Sequence, residues 1–170
     1  MTTTLPVPVR FGLPNDQWEP VQPEALDVVN AAFLAVRRGL PGDYDPTLTI
    51  SGDWRNDGSS LERIADESVA KLRLEGATEV ELLKRKVIER EHAPAVTQAI
   101  GAVIAMNGRT YDLRQAQVVQ GLVDVDDPTK RVVVIYTLTC TFAQWEQMVL
   151  EFQEFMASVE VAPEQGDPEA

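Results

Sequence analysis

The chain has 170 residues, 44% of them hydrophobic, which suits one domain with a buried core and not a disordered segment. Its 15 Lys and Arg against 27 Asp and Glu leave a net charge of −12. That sign argues against gripping a nucleic-acid backbone, which needs clustered cations, and against electrostatic docking on anionic lipid.

The single cysteine, Cys140, permits no intrachain disulfide. Met1 to Pro14 lacks a basic segment leading into an apolar run, and no stretch reaches the ~18 apolar residues of a spanning helix. A cytoplasmic location is the expectation.

Pro6, Pro8, Pro14, Pro20 and Pro23 punctuate the first 24 residues, where Val7, Val9 and Phe11 alternate as in a short edge strand. Trp18 is expected to pack this segment onto the body. Residues 25–37 are ambiguous. Their Ala and Leu content favours helix, whereas the continuous apolar run fits a strand buried on both faces. A strand is expected, because Leu48 to Trp54 also reads as one after the loop Gly39–Pro46.

Ser59 to Glu75 is a helix. Ser59 with Glu62 matches a capping box, Leu61, Ile64, Ala65, Ser68, Val69 and Leu72 form one stripe, and Gly76 ends it. Thr78 to Arg90 mixes charged and apolar residues, as a half-exposed strand does, with a bulge expected where Leu82 and Leu83 adjoin. Val96 to Met106 and Tyr111 to Val125 are strands joined by the hairpin signal Asn107-Gly108. A second turn, Asp126 to Lys130, leads to the strand Arg131–Cys140. Thr141 and Gln144 then open a helix, Phe142 to Val159, whose stripe is Trp145, Met148, Val149, Phe152, Phe155, Met156 and Val159. One domain over residues 1–161 is expected, with 162–170 a disordered acidic tail.

His92 is the only histidine and sits in a strand-end loop, so neither a Ser-His-Asp system nor a zinc site can be assembled around it in the usual way. Cys140 falls on the strand face of Tyr136 and Leu138 and reads as a small buried hydrophobe. Asp124, Asp126 and Asp127, like Asp43 and Asp45, read as turn residues and not as calcium ligands. No glycine-rich phosphate loop occurs. No cofactor, no metal and no enzymatic activity are therefore expected.

Three features suggest a binding surface. Aromatic residues stand in or beside loops: Trp18, Tyr44 and Trp54. Gln115 and Gln117 point to one face of a strand, with Gln120 nearby, and could line a polar groove or face water. Finally, if both helices cover one sheet face, the other carries Ile100 and Ile104 and offers an apolar site for protein or a lipid chain.

The order strand, helix, strand, hairpin, strand, helix over residues 48–157 carries a resemblance. So do Arg131–Thr141 with Phe142–Val159, the spacing of Phe152, Phe155 and Ser158, the strand Leu113–Val119 and the opening Phe11-Gly-Leu-Pro14. Together they resemble the Mog1/PsbP-like superfamily, and most closely its DcrB-like and LpqN-like bacterial members. The resemblance implies an α+β fold, an α-β-α sandwich around a mainly antiparallel sheet. It implies no shared activity. Relatives are regulators of a small GTPase, photosystem accessory subunits, lipoproteins, and chaperones that shield apolar helices of secreted effectors.

The expectation is a non-enzymatic protein-binding domain, an adaptor or secretion-linked chaperone, with Tyr44, Trp54, Gln115 and Gln117 as partner contacts. A homodimer is one form this binding can take. The alternatives are a small-molecule or lipid-chain pocket between sheet and helix, and a carboxylate-based enzyme.

Overall fold

A computed structural model of the protein describes residues 5–26, 28 and 30–161. The segment 162–170, expected as a tail, lies outside the described residues.

The strands are β1 (Val9–Arg10), β2 (Trp18–Pro20), β3 (Phe33–Arg37), β4 (Thr47–Trp54), β5 (Thr78–Ile88), β6 (Ala95–Met106), β7 (Arg109–Val123), β8 (Arg131–Thr141) and β9 (Glu160–Val161). The helices are α1 (Leu61–Leu74) and α2 (Trp145–Ser158). Seven strands form one antiparallel sheet in the order β2-β3-β4-β8-β7-β6-β5, while β1 and β9 pair separately. This is the expected α-β-α sandwich, with one helix on each face.

The alternation along β8 sets the two layers. Val132, Val134, Tyr136, Leu138 and Cys140 are buried on one side with Leu48, Ile50 and Ala116, under Met148, Phe152 and Phe155 of α2. Val133 faces the other way and packs with Val96 and Val119 under Leu61, Ile64 and Ala65 of α1. The two helices therefore do not share a face. Ile100 is buried, in step with Val96 and Gln98 on the α1 side, so it marks no bare apolar surface. Leu5, Val7, Val9, Phe11 and Leu13, each partly buried, pack against the α2-side core.

Two local readings need correction. Within 25–37 only Phe33–Arg37 is strand, and Pro23–Leu26 forms a 3-10 turn. Asn30 takes a left-handed backbone (φ 64°), a break from extended geometry, and the strand begins after it. Leu34, Ala35 and Val36 are nonetheless all buried, as a two-sided strand requires. The cap of α1 is Ser60, whose hydroxyl accepts the Arg63 N–H at 3.0 Å. Ser59 is already engaged, its N–H donating to Asp57 Oδ1 at 3.1 Å.

Elsewhere the local chemistry is as read. Asn107 and Gly108 both have positive φ, 53° and 77°, the pair a tight type I′ hairpin needs. The β5–β6 register slips between Leu82 and Lys84, which places a bulge at Leu83. The Thr141 N–H donates to Gln144 Oε1 at 2.9 Å, and a 3-10 turn, Phe142–Gln144, precedes α2.

Candidate functional site

Gln115 and Gln117 project from β7 toward the α1 side, beside β8 and β4. There the sheet face is polar: Thr137 and Thr139 of β8 stand beside Thr49 of β4, and Ser51 follows. With Ser68 and Lys71 of α1 as one wall and Asn30 opposite, they line a cleft of about 470 Å³. A polar floor under a helix costs little only if each group finds a partner.

Here the partners are supplied in series. Asp66 pairs with Arg85 at 2.8 Å. Arg85 donates twice to Gln98 Oε1, at 3.0 and 2.7 Å. Gln98 Nε2 donates to the Ala65 carbonyl at 3.1 Å and to Gln117 Oε1 at 2.8 Å, and Gln117 Nε2 donates to Thr137 Oγ1 at 3.2 Å. Gln117 is only 7% exposed and both ends of its amide are committed. Gln115 is half-buried and donates to Thr139 Oγ1 at 3.0 Å.

The four expected contact residues do not converge. Tyr44 precedes β4 and packs its ring against Tyr111, centroids 5.3 Å apart, while its carbonyl accepts from Gln144 Nε2 at 2.8 Å. Burial pushes the Tyr44 hydroxyl up to about 12. Trp54 ends β4, beside Val132 and 49% exposed. The seven residue steps from Thr47 to Trp54 are about 23 Å of strand, so Tyr44 and Trp54 lie at opposite ends of the sheet. Trp18 is buried, its indole N–H donating to Glu151 Oε1 at 2.8 Å.

A larger concavity lies on the α2 face. Helix α2 sits over β8 and β7 and, among the described residues, leaves the β6–β5 half of that face uncovered. The groove between them measures about 970 Å³. Trp145, Val149, Phe152 and Met156 form its helix wall, and its floor includes Ala99 and Ala116. At one end the Arg114 guanidinium lies 4.6 Å from the centroid of the exposed Phe142 ring. No single sequence motif marks this groove, because its walls come from β5, β6, β7 and α2.

The carboxylate of Glu151 is a further buried group, absent from the contact residues expected of the sequence. It occupies the apolar stripe of α2 between Met148 and Phe152, and an acid at such a position signals a buried cation. That cation is Arg37: Nε meets Oε1 at 2.9 Å and Nη2 meets Oε2 at 3.0 Å. Burial works against ionisation of Glu151, but hydrogen bonds from Arg37, Gln147 and Trp18 outweigh it and hold the carboxyl at about 2. The group ties α2 to β2 and β3.

Cys140 is fully buried and burial pushes its thiol up to about 12, so it is a poor nucleophile near neutrality. His92 is exposed, with Nε2 3.8 Å from Glu91 Oε2. Among the described residues no three His, Cys, Asp or Glu side chains gather as a metal site would need. Among them, too, no helix is long and apolar enough to cross a membrane.

No protein-family model matches the sequence, and no curated protein matches it. Solved structures do match in three dimensions. LpqN of Mycobacterium tuberculosis, involved in cell envelope biogenesis, superposes with a TM-score of 0.59 at 12% identity, over 93% of this chain and 86% of its own. Cyanobacterial PsbP (CyanoP) of Synechocystis sp. PCC 6803 gives 0.56 at 12%, over 86% and 83%. PA94, a protein of unknown function from Pseudomonas aeruginosa, gives 0.51 at 17%, over 78% and 82%. At such identities the likeness concerns the fold, and strand order, opposed helices and superposition agree that the chain has the Mog1/PsbP-like fold.

Proposed function

We propose that the chain is a non-enzymatic binding domain that seats an amphipathic helix of a partner protein in the groove beside α2, as an adaptor or a chaperone would. The groove itself carries this reading. It runs along a helix of 14 residues, about 21 Å, and occupies the place a second helix on that face would take. Its floor has the small side chains of Ala99 and Ala116, which let a helix lie close, and Val149, Phe152 and Met156 offer the apolar wall. Binding of this kind places an apolar helical stripe in a ready groove and needs no catalytic group.

A photo-cross-linking amino acid at Val149, and separately at Gln115, tests the reading in native extract. Adducts at Val149 that map to one helical segment of a stoichiometric partner support the groove. Adducts at Gln115 alone would move the docking face to the polar cleft and overturn this assignment.

A second reading follows from the apolar lining and from a volume within the range of small-ligand sites, ~300–1,000 Å³. An acyl chain would fill the same space. Native mass spectrometry of the purified protein decides it: a co-purifying lipid mass supports the chain-binding reading, and a clean protein mass removes it.

A further inference from the structure

The sheet has two unlike edges. At one, β2 is three residues long and contains Pro20, which has no N–H to offer a further strand. At the other, β5 runs for 11 residues with no further strand paired to it among the described residues, and Arg73 Nη2 of α1 donates to the Val80 carbonyl at 3.1 Å. Leu82, Leu83 and Val87 are exposed there, Leu83 at 46%.

The charges on β5 are ordered. Glu79 and Glu81 come first, and Lys84 and Lys86 follow. Lys84-Arg85-Lys86 is the only run of three consecutive cations in a chain of net charge −12. Arg85 is spent on Gln98 and Asp66. Glu79, Glu81, Lys84 and Lys86 have no opposite charge within 4.0 Å among the described residues.

The bulge gives this order its meaning. Residues three apart on a regular strand face opposite ways. Glu81 pairs with Gly101 and Lys84 with Ala99, two residues apart on β6, so both face the α2 side. A strand turned antiparallel against itself about Leu82–Leu83 sets Glu81 across from Lys84; a second register shift between Thr78 and Glu81, with Glu79 at φ 51°, breaks the alternation beyond it and leaves Glu79 at the same end as Lys86 of the other copy. Two-fold symmetry makes each pair twice. Charges and bulges also serve to keep edges apart, most strongly where like charges would meet. Here opposite charges meet.

We propose that the outer edge of β5 pairs antiparallel with β5 of a second copy of this chain, joining two sheets into one through complementary Glu and Lys side chains. The edge N–H and C=O groups supply the ladder, and the charge order sets its direction and register. Lys84 and Lys86 also line the β5 side of the groove beside α2, so the pairing is separated from groove binding by a change on the α2 wall, which leaves β5 untouched.

Light scattering of the full chain after size separation, at low and high salt, reads the mass. The parent is expected to be a dimer that weakens as salt screens the pairs. Lys84→Glu/Lys86→Glu and, separately, Glu79→Lys/Glu81→Lys should each raise the dissociation constant about tenfold or more. An equimolar mixture of the two should regain a dimer containing one of each. Circular dichroism checks that both variants stay folded. A parent that is monomeric at every concentration, variants that dimerise like the parent, or a mixture that stays monomeric would each overturn the proposal. A groove variant, Val149→Asp, should leave the dimer mass unchanged.

Discussion

Arg37 and Glu151, 114 residues apart in sequence, form a two-pronged ion pair buried between β3 and α2, at 6% and 8% exposure. Its geometry matches the planar guanidinium to the planar carboxylate, and Trp18 and Gln147 satisfy the remaining lone pairs. The pair holds α2 over the sheet and so fixes one wall of the groove.

Breaking this pair on one side leaves a charge buried without its partner. Arg37→Ala or Glu151→Ala should cost about 3–5 kcal/mol in urea unfolding. Arg37→Met with Glu151→Leu should cost far less than the sum of the two single changes. Single-variant losses below about 1 kcal/mol would show that the pair does not hold α2.

Stability should fall in acid over a defined window. The folded Glu151 carboxyl is held at about 2, below its ordinary 4.5. A depressed carboxyl contributes stability above the unfolded value and loses it as pH drops toward the folded one. Unfolding free energy should therefore decline by roughly 2–3 kcal/mol between about pH 4.5 and 2 through this group. Exposed Asp57, also lowered to about 2, titrates in the same range, so Glu151→Gln is the control. The pH slope of that variant should be visibly flatter, and an unchanged slope would remove Glu151 as its cause.

Gln117 and Trp54 should behave differently although both stand out as contact residues in the sequence. Gln117→Ala strands the Gln98 amide and should cost about 1–3 kcal/mol, whatever it does to binding. Trp54→Ala removes a half-exposed ring at a strand end and should cost less. The unfolding midpoints of the two variants in urea compare them directly, and Gln117→Ala at parental stability would show that the buried amide chain is dispensable.

Asn107→Ala tests the hairpin. Alanine at φ 53° pays about 1–2 kcal/mol of backbone strain, which a thermal melt of a chain this size reads as a drop of about 2–8 °C. A melt unchanged within error would mean that β6 and β7 tolerate another turn.

Features set by neighbours along the chain are legible in its residues. Asn107-Gly108 chose the hairpin, Leu82-Leu83 the bulge, Thr141 and Gln144 the start of the last helical segment, and the α1 stripe its buried face. Each depends on φ preference, on side-chain period or on a hydrogen bond spanning a few residues. Tertiary structure alone decided which sheet face each helix covers, that Val9 meets Val161 across the chain, that Arg37 answers Glu151, and that Gln117 is a buried link and not a free contact. It also decided that Tyr44 and Trp54 stand at opposite ends of the sheet. Those outcomes rest on contacts between distant segments, whose free energy depends on the completed packing and on which buried polar groups find partners. No local pattern carries that information.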